Sequence, residues 1–480
     1  MNENQRRNIL MNRRAFLKAA GLTAGGALLA ACTTPATTAP TNVPVATNAP
    51  AATSAPAATS APAATNAPAA TSAPAATSAP AATAAATTAP TAGGEVNFLW
   101  TDINALRAPI IKDFTAATGI KVNQTILNYN QLLDKITTAV QGGGGFDVIE
   151  MDTIWTAQFA AAGWVEDISS RITPAIKADV PDSALNAVTY QGKLFGMPWF
   201  NSCKHLFYNS KLLQDAGFSA PPTTLDELVA QAKATTKAGQ WGTVWSWIQS
   251  EGLICDWVSL MFTKKGAQIL DSSGKAVFDQ MGGTEALQWM VDLLYTHKAA
   301  DPASLQYTED NVRTSLFTGK YAITYNWEGT LPDGNDPTKS QAAPNVKIAL
   351  LPGSADVKSS TVNGSEGWAI LKNATNKDNA WALLQYMASP AWQKKAAVIA
   401  GDYPILASLY SDPDLQKTVQ DFANYGEQFK YMALRPQVPG YAQKSDIIQK
   451  HLSEALLQKA KPADAMKAAA DEVNKLSATP

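Results

Sequence analysis

The segment from residue 95 to residue 151 alternates between strand-like and helix-like patterns, and this alternation constrains the fold more than any other feature. Two amphipathic segments with apolar residues at helical spacing separate three strand-like runs. The predicted elements are strands at 95–101, 120–127 and 146–151 and helices at 104–118 and 129–140. Such an order predicts a parallel sheet with right-handed crossovers, and therefore an α/β fold.

Polar and aromatic residues follow two of these strands. Asp102 and Asn104 come after the first strand, and Asp152 and Trp155 come after the third. Ligands of open α/β sheets bind outside the carboxyl ends of the strands, so these four residues are candidates for ligand contact. The alternative for Asp102 and Asp152 is helix N-capping, which can coexist with a ligand contact, and the alternative for Trp155 is helix packing.

The stretch Tyr190–Leu213 contains two strand-like runs, 193–198 and 205–209, joined by a short segment around residues 199–202. The chain before it alternates between strand-like and helix-like segments, as one α/β lobe does, and much of the chain after it alternates in the same way, as a second lobe does. We interpret the stretch as the first crossing between two lobes, with Trp199 exposed where they face each other. This interpretation predicts a clamp that closes on a solute.

The second half of the chain supplies further candidates at predicted strand ends. Trp247 and Gln249 close a strand-like run that begins at residue 241, and Trp327 and Glu328 directly follow a strand predicted at 321–325. An indole beside a carboxylate suits a ligand that needs both stacking and hydrogen bonding. Since one face of the run at 241–249 is expected to be core, not every tryptophan in it can contact a ligand.

Two other segments contain candidates with open alternatives. Glycines around Trp368 allow the backbone to approach a ligand or to bend at a hinge, and the alternative is an ordinary glycine turn. Arg435 lies in an extended, proline-rich segment. It is a candidate for contact with a ligand hydroxyl or carboxylate, and its alternative is a structural ion pair.

The amino terminus is predicted to be a signal peptide at residues 1–31. A basic region precedes an apolar run at 19–31, which is shorter than the ~20 apolar residues of a membrane-spanning helix. Residues 12–18 resemble a twin-arginine export signal, although the general secretory route stays open. The sequence Leu29-Ala30-Ala31-Cys32 resembles a bacterial lipobox, in which Cys32 is lipidated and becomes the mature N-terminus.

Residues 32–94 form a low-complexity tract rich in Ala, Pro, Thr and Ser, with no charged residue. The tract holds too little apolar surface to offset the entropy of ordering, so we predict a disordered linker that follows the lipidated cysteine. O-glycosylation of its hydroxyl groups stays open. The predicted arrangement is a folded domain tethered outside the membrane.

Several function classes are disfavoured. A net charge of −2 and a charged fraction of 16% give no reason to expect nucleic-acid binding. The glycine run at 142–145 follows a helix and precedes a strand, which excludes a phosphate-binding loop. No CxxC, HExxH or Cys/His cluster occurs, so no metal and no cofactor is predicted. Cys203 and Cys255 either pair or remain buried free thiols.

A glycosidase is the rival class. It requires two carboxylates that flank the scissile bond, and Asp152, Glu328 and Glu366 are available. No catalytic spacing and no GxSxG elbow supports it, so the chain is predicted not to be an enzyme.

Eight stretches from residue 95 onward carry a family resemblance. They are FTAATGIKV (114–122), FDVIEMDTIWTAQFAAAGWVEDI (146–168), GKLFGMPWF (192–200), LFYNSKLLQDAG (206–217), PPTTLDEL (221–228), FTGKYAITYNW (317–327), GSEGWAI (364–370) and LRPQVPGY (434–441). Their order and spacing resemble the extracellular solute-binding proteins of bacterial ABC importers, in particular the sugar-binding group related to maltose-binding protein.

The resemblance implies a two-lobed, periplasmic-binding-protein-like (type II) fold with a cleft between the lobes. Crossings are expected near 199–202, 362–368 and 412–414. The implied boundaries are 95–200 with 364–412 for the first lobe, and 201–363 with 413–480 for the second lobe. The implied ligand contacts are Asp102, Asn104, Asp152, Trp155, Trp199, Ser202, Trp247, Gln249, Trp327, Glu328, Glu366, Trp368 and Arg435.

The chain departs from the family pattern at a few positions. Phe146 stands where many members have proline, and Ser202 stands where many have an acidic residue that binds sugar hydroxyls. Lys204 and His205 favour an anionic ligand in one interpretation, and form a solvated strand start in the other. The expected partners are a sugar ligand, the permease subunits of an ABC importer, and the outer face of the cell membrane through the lipid anchor. A monomer is expected, and the alternative ligands are a polyol phosphate, a polyamine or a metal.

Overall fold

The computed structural model describes residues 93–101 and 107–477. The predicted signal peptide, Cys32, all but the last two linker residues, Asp102 and Asn104 lie outside the described residues. Within these ranges no helix is both long enough and apolar enough to cross a membrane.

The regular elements are numbered in chain order. The strands are β1 (Glu95–Thr101), β2 (Lys121–Leu127), β3 (Val148–Asp152), β4 (Thr189–Tyr190), β5 (Lys193–Leu194), β6 (Met197–Phe200), β7 (His205–Asn209), β8 (Trp241–Thr243), β9 (Tyr321–Asn326), β10 (Val346–Ala349), β11 (Thr361–Val362), β12 (Glu366–Ile370) and β13 (Met432–Ala433). The first helices are α1 (Ala108–Thr118), α2 (Tyr129–Gln141), α3 (Thr153–Ala161), α4 (Pro174–Asp179), α5 (Asp182–Ala187), α6 (Ser210–Asp215), α7 (Leu225–Thr235), α8 (Glu251–Met261) and α9 (Gly283–Tyr295). The remaining helices are α10 (Glu309–Phe317), α11 (Thr330–Gly334), α12 (Lys377–Met387), α13 (Pro390–Ala400), α14 (Pro413–Thr418), α15 (Phe422–Gln428), α16 (Tyr441–Leu456) and α17 (Pro462–Ser477). Short 3-10 helices lie at Pro302–Gln306, Ala407–Ser411 and Phe429–Tyr431.

The first sheet has the strand order β2-β1-β3-β12-β6. Strand β1 pairs in parallel with β2 and with β3, so the parallel sheet predicted from the amino-terminal alternation is confirmed. Strand β12 returns from far along the chain and runs antiparallel to β3 and β6. All five residues of β3 are buried, as expected for a strand covered on both faces. Gly119 ends α1 in the left-handed conformation (φ 72°), the C-terminal stop that its position predicts.

The second sheet has the order β10-β7-β9-β8 and forms the base of the other lobe. Strand β7 runs antiparallel to β10 and β9, whereas β8 runs parallel to β9. The strand predicted to reach Gln249 ends at Thr243, because the backbone N–H groups of Trp245 and Trp247 donate to the hydroxyl and carbonyl of Ser304 instead of to a strand. A second core, which contains Trp257, packs on this sheet with α8, α9, α16 and α17.

The chain passes from the first sheet to the second between β6 and β7, through residues 201–204. It returns through residues 363–365, between β11 and β12. Isolated bridges join the two passages, since Cys203 pairs with Asn363 and Asn201 pairs with Tyr403. These passages overlap the segments near 199–202 and 362–368 where crossings are expected. The lobe boundaries, and the third crossing expected near 412–414, stay predictions.

Candidate functional site

Asp152 stands at the carboxyl end of β3, where the first lobe faces the second. Its carboxylate accepts a hydrogen bond from the backbone N–H of Ile154 at 3.1 Å, so the predicted N-capping is confirmed. The other carboxylate oxygen accepts from the Tyr129 hydroxyl at 2.7 Å. Burial and the negative charge of Asp152 raise the pKa of Tyr129, which keeps its proton at neutral pH. The cap fixes the carboxylate at the edge of the sheet.

Arg435 joins the two lobes through carboxylates on either side. Its guanidinium donates to Glu251 Oε1 at 2.9 Å and lies 3.5 Å from Asp152 Oδ1 and from the carbonyl oxygen of Asn363. Glu251 is the first residue of α8 in the second lobe, and the Tyr441 hydroxyl also donates to it, at 2.6 Å. Only 3% of Arg435 is exposed. The structural ion pair, which the sequence left as an alternative for Arg435, is thus present.

Glu366 opens β12 and lies directly opposite Asp152 in the register of the sheet. Glu150 precedes Asp152 by two residues and accepts a hydrogen bond from the backbone N–H of Thr101 at 2.9 Å. Burial raises the pKa of Glu366 well above its ordinary value, and the charges of Glu150 and Asp152 raise it further. The raised pKa favours the protonated form of Glu366, which lies opposite Asp152 at this edge of the sheet.

Trp199 is buried, with 1% of its surface exposed, so the expectation that it is exposed between the lobes is wrong. Its ring stacks on Trp368 at a centroid distance of 4.7 Å, and the guanidinium of Arg107 lies 4.7 Å from the same ring. Arg107 is held there by an ion pair with Asp402. These neighbours cover the ring, because β6 and β12 are adjacent strands and Arg107 packs over them. A ligand contact through Trp199 or Trp368 stays a prediction that this packing disfavours.

The other aromatic candidates are also largely packed. Trp247 is 1% exposed and stacks on Trp245 with the centroids 5.2 Å apart. Trp155 is 4% exposed and stacks on Tyr129 at 5.5 Å, so the helix-packing alternative applies to it. Gln249 lies exposed in the loop before α8. In the described ranges, no hydrogen bond joins any of these three side chains to Asp152, and their ligand roles stay predictions.

Trp327 directly follows β9 and is the one predicted tryptophan contact that is partly exposed. Its indole N–H donates to Glu309 Oε1 at 2.8 Å. The ammonium of Lys204 lies 5.5 Å from the ring centroid. Gly364 packs on the ring so closely that a Cβ atom there would lie 2.4 Å from the ring carbon Cζ3. The indole is therefore held by protein groups while part of its surface faces solvent.

Ser202 and Glu328 lie in contact in the structure, although no sequence pattern pairs them. The Ser202 hydroxyl donates to Glu328 Oε2 at 2.9 Å, and the backbone N–H of Cys203 donates to Glu328 Oε1 at 2.7 Å. Glu328 is 6% exposed. Its carboxylate thus binds the first crossing segment from the second lobe. A ligand contact by either residue stays a prediction.

A cluster of Cys203, His205 and Glu328 contradicts the expectation that no Cys/His cluster occurs. Their donor atoms lie within 4.8 Å of one another, with His205 Nε2 3.5 Å from the thiol and 3.2 Å from Glu328 Oε1. The sequence missed it because Glu328 lies 123 positions from His205. Burial and the Glu328 charge raise the pKa of the Cys203 thiol, which opposes the thiolate that a metal requires. We interpret the cluster as a hydrogen-bonded support for the crossing segment.

Lys204 and His205 are both fully buried, so the expectation of a solvated strand start is wrong. Lys204 pairs with Asp256 and Glu309, which come from α8 and α10 and remove the need for solvent around the ammonium. Cys203 and Cys255 are both free and buried, as one of the two alternatives predicted.

Two sheets joined by two crossing segments, with buried carboxyl groups and a partly exposed indole near those segments, are the arrangement of a two-lobed solute-binding protein. Residues 99–394 match the bacterial extracellular solute-binding protein family, and the chain belongs to this family. The predicted periplasmic-binding-protein-like fold is therefore confirmed. Because members of the family are binding proteins, the chain is a binding protein and not an enzyme, and the glycosidase alternative is set aside.

Individual relatives support the same assignment. The chain is 32% identical over 334 residues to a probable ABC transporter-binding protein of Deinococcus radiodurans. The aligned region covers 67% of this chain and 77% of that protein. Maltose-bound MalE3 of T. maritima superimposes with a TM-score of 0.74 at 27% identity, covering 80% of this chain and all of that one. A solute-binding protein of Agrobacterium radiobacter K84 in complex with ribitol gives a TM-score of 0.73 at 25% identity, covering 81% and 100%.

Proposed function

We propose that this protein captures a neutral sugar or polyol between its lobes and delivers it to the permease of an ABC importer. The observation that carries the proposal is the partly exposed indole of Trp327, held in place beside the crossing segments. The apolar face of a pyranose ring or a polyol chain stacks well on such a surface. The structural relatives that bind maltose and ribitol are consistent with this ligand class.

The polar groups near the crossing segments favour hydroxyl groups over a charged ligand. The carboxylate of Asp152 is an acceptor, Glu366 lies opposite it in the register of the sheet, and the Tyr129 hydroxyl donates to Asp152 beside them. A hydroxyl group both donates and accepts, so it satisfies such a set. Arg435 is already paired with Glu251, so an anion would have to compete with a carboxylate at 2.9 Å.

Closure brings both lobes onto the ligand and thereby favours the closed state. The passages at 201–204 and 363–365 are the segments about which the lobes rotate in this proposal. Cys32 supplies the lipid anchor, and the linker holds the domain at the outer face of the membrane as a monomer. The closed form is the one that docks on the permease.

Replacing Trp327 tests the proposal. Trp327→Ala is expected to weaken the binding of maltose or ribitol about tenfold or more, which corresponds to at least ~1.4 kcal/mol. Isothermal titration calorimetry measures the loss. Trp241→Ala is the matched control, since Trp241 is also partly buried but starts β8, at the opposite end of the sheet. Equal loss in both variants, or none in Trp327→Ala, would contradict the role of Trp327.

A further inference from the structure

Lys204 forms a buried ion-pair cluster beside Trp327. Its ammonium lies 2.7 Å from Asp256 Oδ1 and 2.7 Å from Glu309 Oε1, and 3.3 Å from the Ser246 hydroxyl. Loss of hydration alone lowers the pKa of Lys204, but the two carboxylates outweigh it and the pKa is raised. The ammonium therefore stays charged at neutral pH. A buried charge of this kind requires its partners in place.

Glu309 connects this ammonium to the indole. One oxygen, Oε1, accepts from Lys204 at 2.7 Å and from the indole N–H of Trp327 at 2.8 Å. The ammonium also lies 5.5 Å from the ring centroid, within the range of a cation–π contact. Because both donors converge on one oxygen, the indole nitrogen is fixed relative to the ammonium.

The same indole contacts both crossing segments. Lys204 belongs to the first segment, and its carbonyl oxygen accepts a hydrogen bond from the Thr361 hydroxyl at 2.6 Å. Gly364 belongs to the second segment and packs against the far edge of the ring. Any displacement of the Trp327 ring therefore acts on the two segments that join the lobes.

We propose that Glu309, itself held by the buried ammonium of Lys204, is the positioning residue that holds the Trp327 indole for ligand stacking and connects it to the crossing segments. The inference rests on the proposed function, because it assigns a ligand contact to Trp327. It adds that the affinity for the ligand depends on a residue that the ligand does not touch. It also explains why Lys204 is buried, where the sequence predicted a solvated residue.

The test compares two replacements of Glu309 in the purified protein. Glu309→Leu removes the shared acceptor, and Glu309→Gln retains an oxygen at the same place. Titration with maltose and with ribitol is expected to show a loss of about tenfold in Glu309→Leu and no more than about threefold in Glu309→Gln. Asp310→Leu is the matched control, since Asp310 lies next to Glu309 in the first turn of α10 but is exposed. It is expected to bind like the wild type.

A readout without ligand accompanies the titration. A hydrogen bond to a charged oxygen deshields an N–H proton, so the indole N–H resonance of Trp327 is expected to move upfield in Glu309→Leu. The resonance is assigned by its absence in Trp327→Ala, and the other indole resonances are expected to stay in place. An unmoved Trp327 resonance would overturn the positioning role, whatever the ligand.

Gly364→Ala provides an independent variant if Glu309→Leu does not fold. The added Cβ atom would lie 2.4 Å from the ring and must displace it, so the same loss of affinity is expected. Wild-type affinity in Glu309→Leu or Gly364→Ala, together with lost affinity in Trp327→Ala, would overturn the positioning role and leave the proposed function standing. Wild-type affinity in Trp327→Ala would instead contradict the stacking contact itself.

Discussion

Trp199 and Trp368 stack with their ring centroids 4.7 Å apart and their planes inclined by 17°. The two residues come from β6 and β12, which lie side by side in the first sheet. Both side chains are fully buried or nearly so. The pair therefore packs the first lobe directly beside the point where the chain leaves it for the second lobe.

Trp199→Ala is expected to lower the free energy of unfolding by about 3–5 kcal/mol, because it deletes a large buried ring and leaves a cavity. Urea denaturation followed by circular dichroism measures the change. Trp241→Ala is expected to cost less, since that indole is only partly buried. If Trp199→Ala unfolds like the wild type but binds ligand more weakly, Trp199 is a ligand contact and not a packing residue.

Arg435→Met is expected to lower the free energy of unfolding by about 3–5 kcal/mol, because Asp152 and Glu251 would lose the cation buried between them. The control is Arg313→Met, which breaks an ion pair with Asp333. The Arg313 side chain is 35% exposed and that of Asp333 23%, so the loss is expected to cost about 1 kcal/mol or less. Chemical denaturation of both variants supplies the comparison. Similar small costs in the two variants would show that Arg435 is not a structural bridge.

Glu366 is expected to make stability depend on pH. Its pKa is raised in the folded protein, so the folded state holds a proton that the unfolded chain releases near pH ~4.3. The stabilisation is fully present below that pH and is lost as the pH rises through the folded pKa, at up to ~1.4 kcal/mol per pH unit. Glu366→Gln, which stays neutral, is expected to gain stability relative to the wild type as the pH rises above ~4.3. A difference that does not change with pH would contradict the raised pKa.

Removal of metal is expected to leave the protein unchanged. The Glu328 carboxylate already accepts hydrogen bonds from Ser202 and Cys203, and the thiol of Cys203 is kept protonated. Treatment with EDTA is therefore expected not to lower the melting temperature, and added Zn²⁺ is expected not to raise it. Stoichiometric zinc in the purified protein, lost in Cys203→Ser, would establish a metal site at this cluster.

The sequence predicted the elements whose signals are local. The apolar periodicity of residues 95–151 placed three strands and two helices, and Gly119 marked the end of α1. The N-capping role that was the alternative for Asp152 is also present in the structure. These features depend on neighbours within a few positions, so they can be predicted from the local sequence alone.

The sequence failed where a side chain is explained by partners far along the chain. Lys204 was predicted to be solvated because its partners, Asp256 and Glu309, are distant in the sequence and lie beside it only in the folded protein. Trp199 was predicted to be exposed because its stacking partner, Trp368, lies far along the chain. Strand β12, which contains Trp368, pairs with β6 only in the folded sheet. Strand ends therefore supplied candidates for the site, whereas the exposure of individual side chains had to come from the structure.

Calorimetric titration of the purified protein with neutral and charged solutes tests the central claim most directly. The panel contains maltose and ribitol as neutral ligands, and putrescine and a polyol phosphate as charged ones. The account predicts saturable binding of a neutral sugar or polyol at one site per chain, and no binding of the charged solutes. Binding of putrescine or the polyol phosphate, with no response to any neutral sugar or polyol, would contradict it.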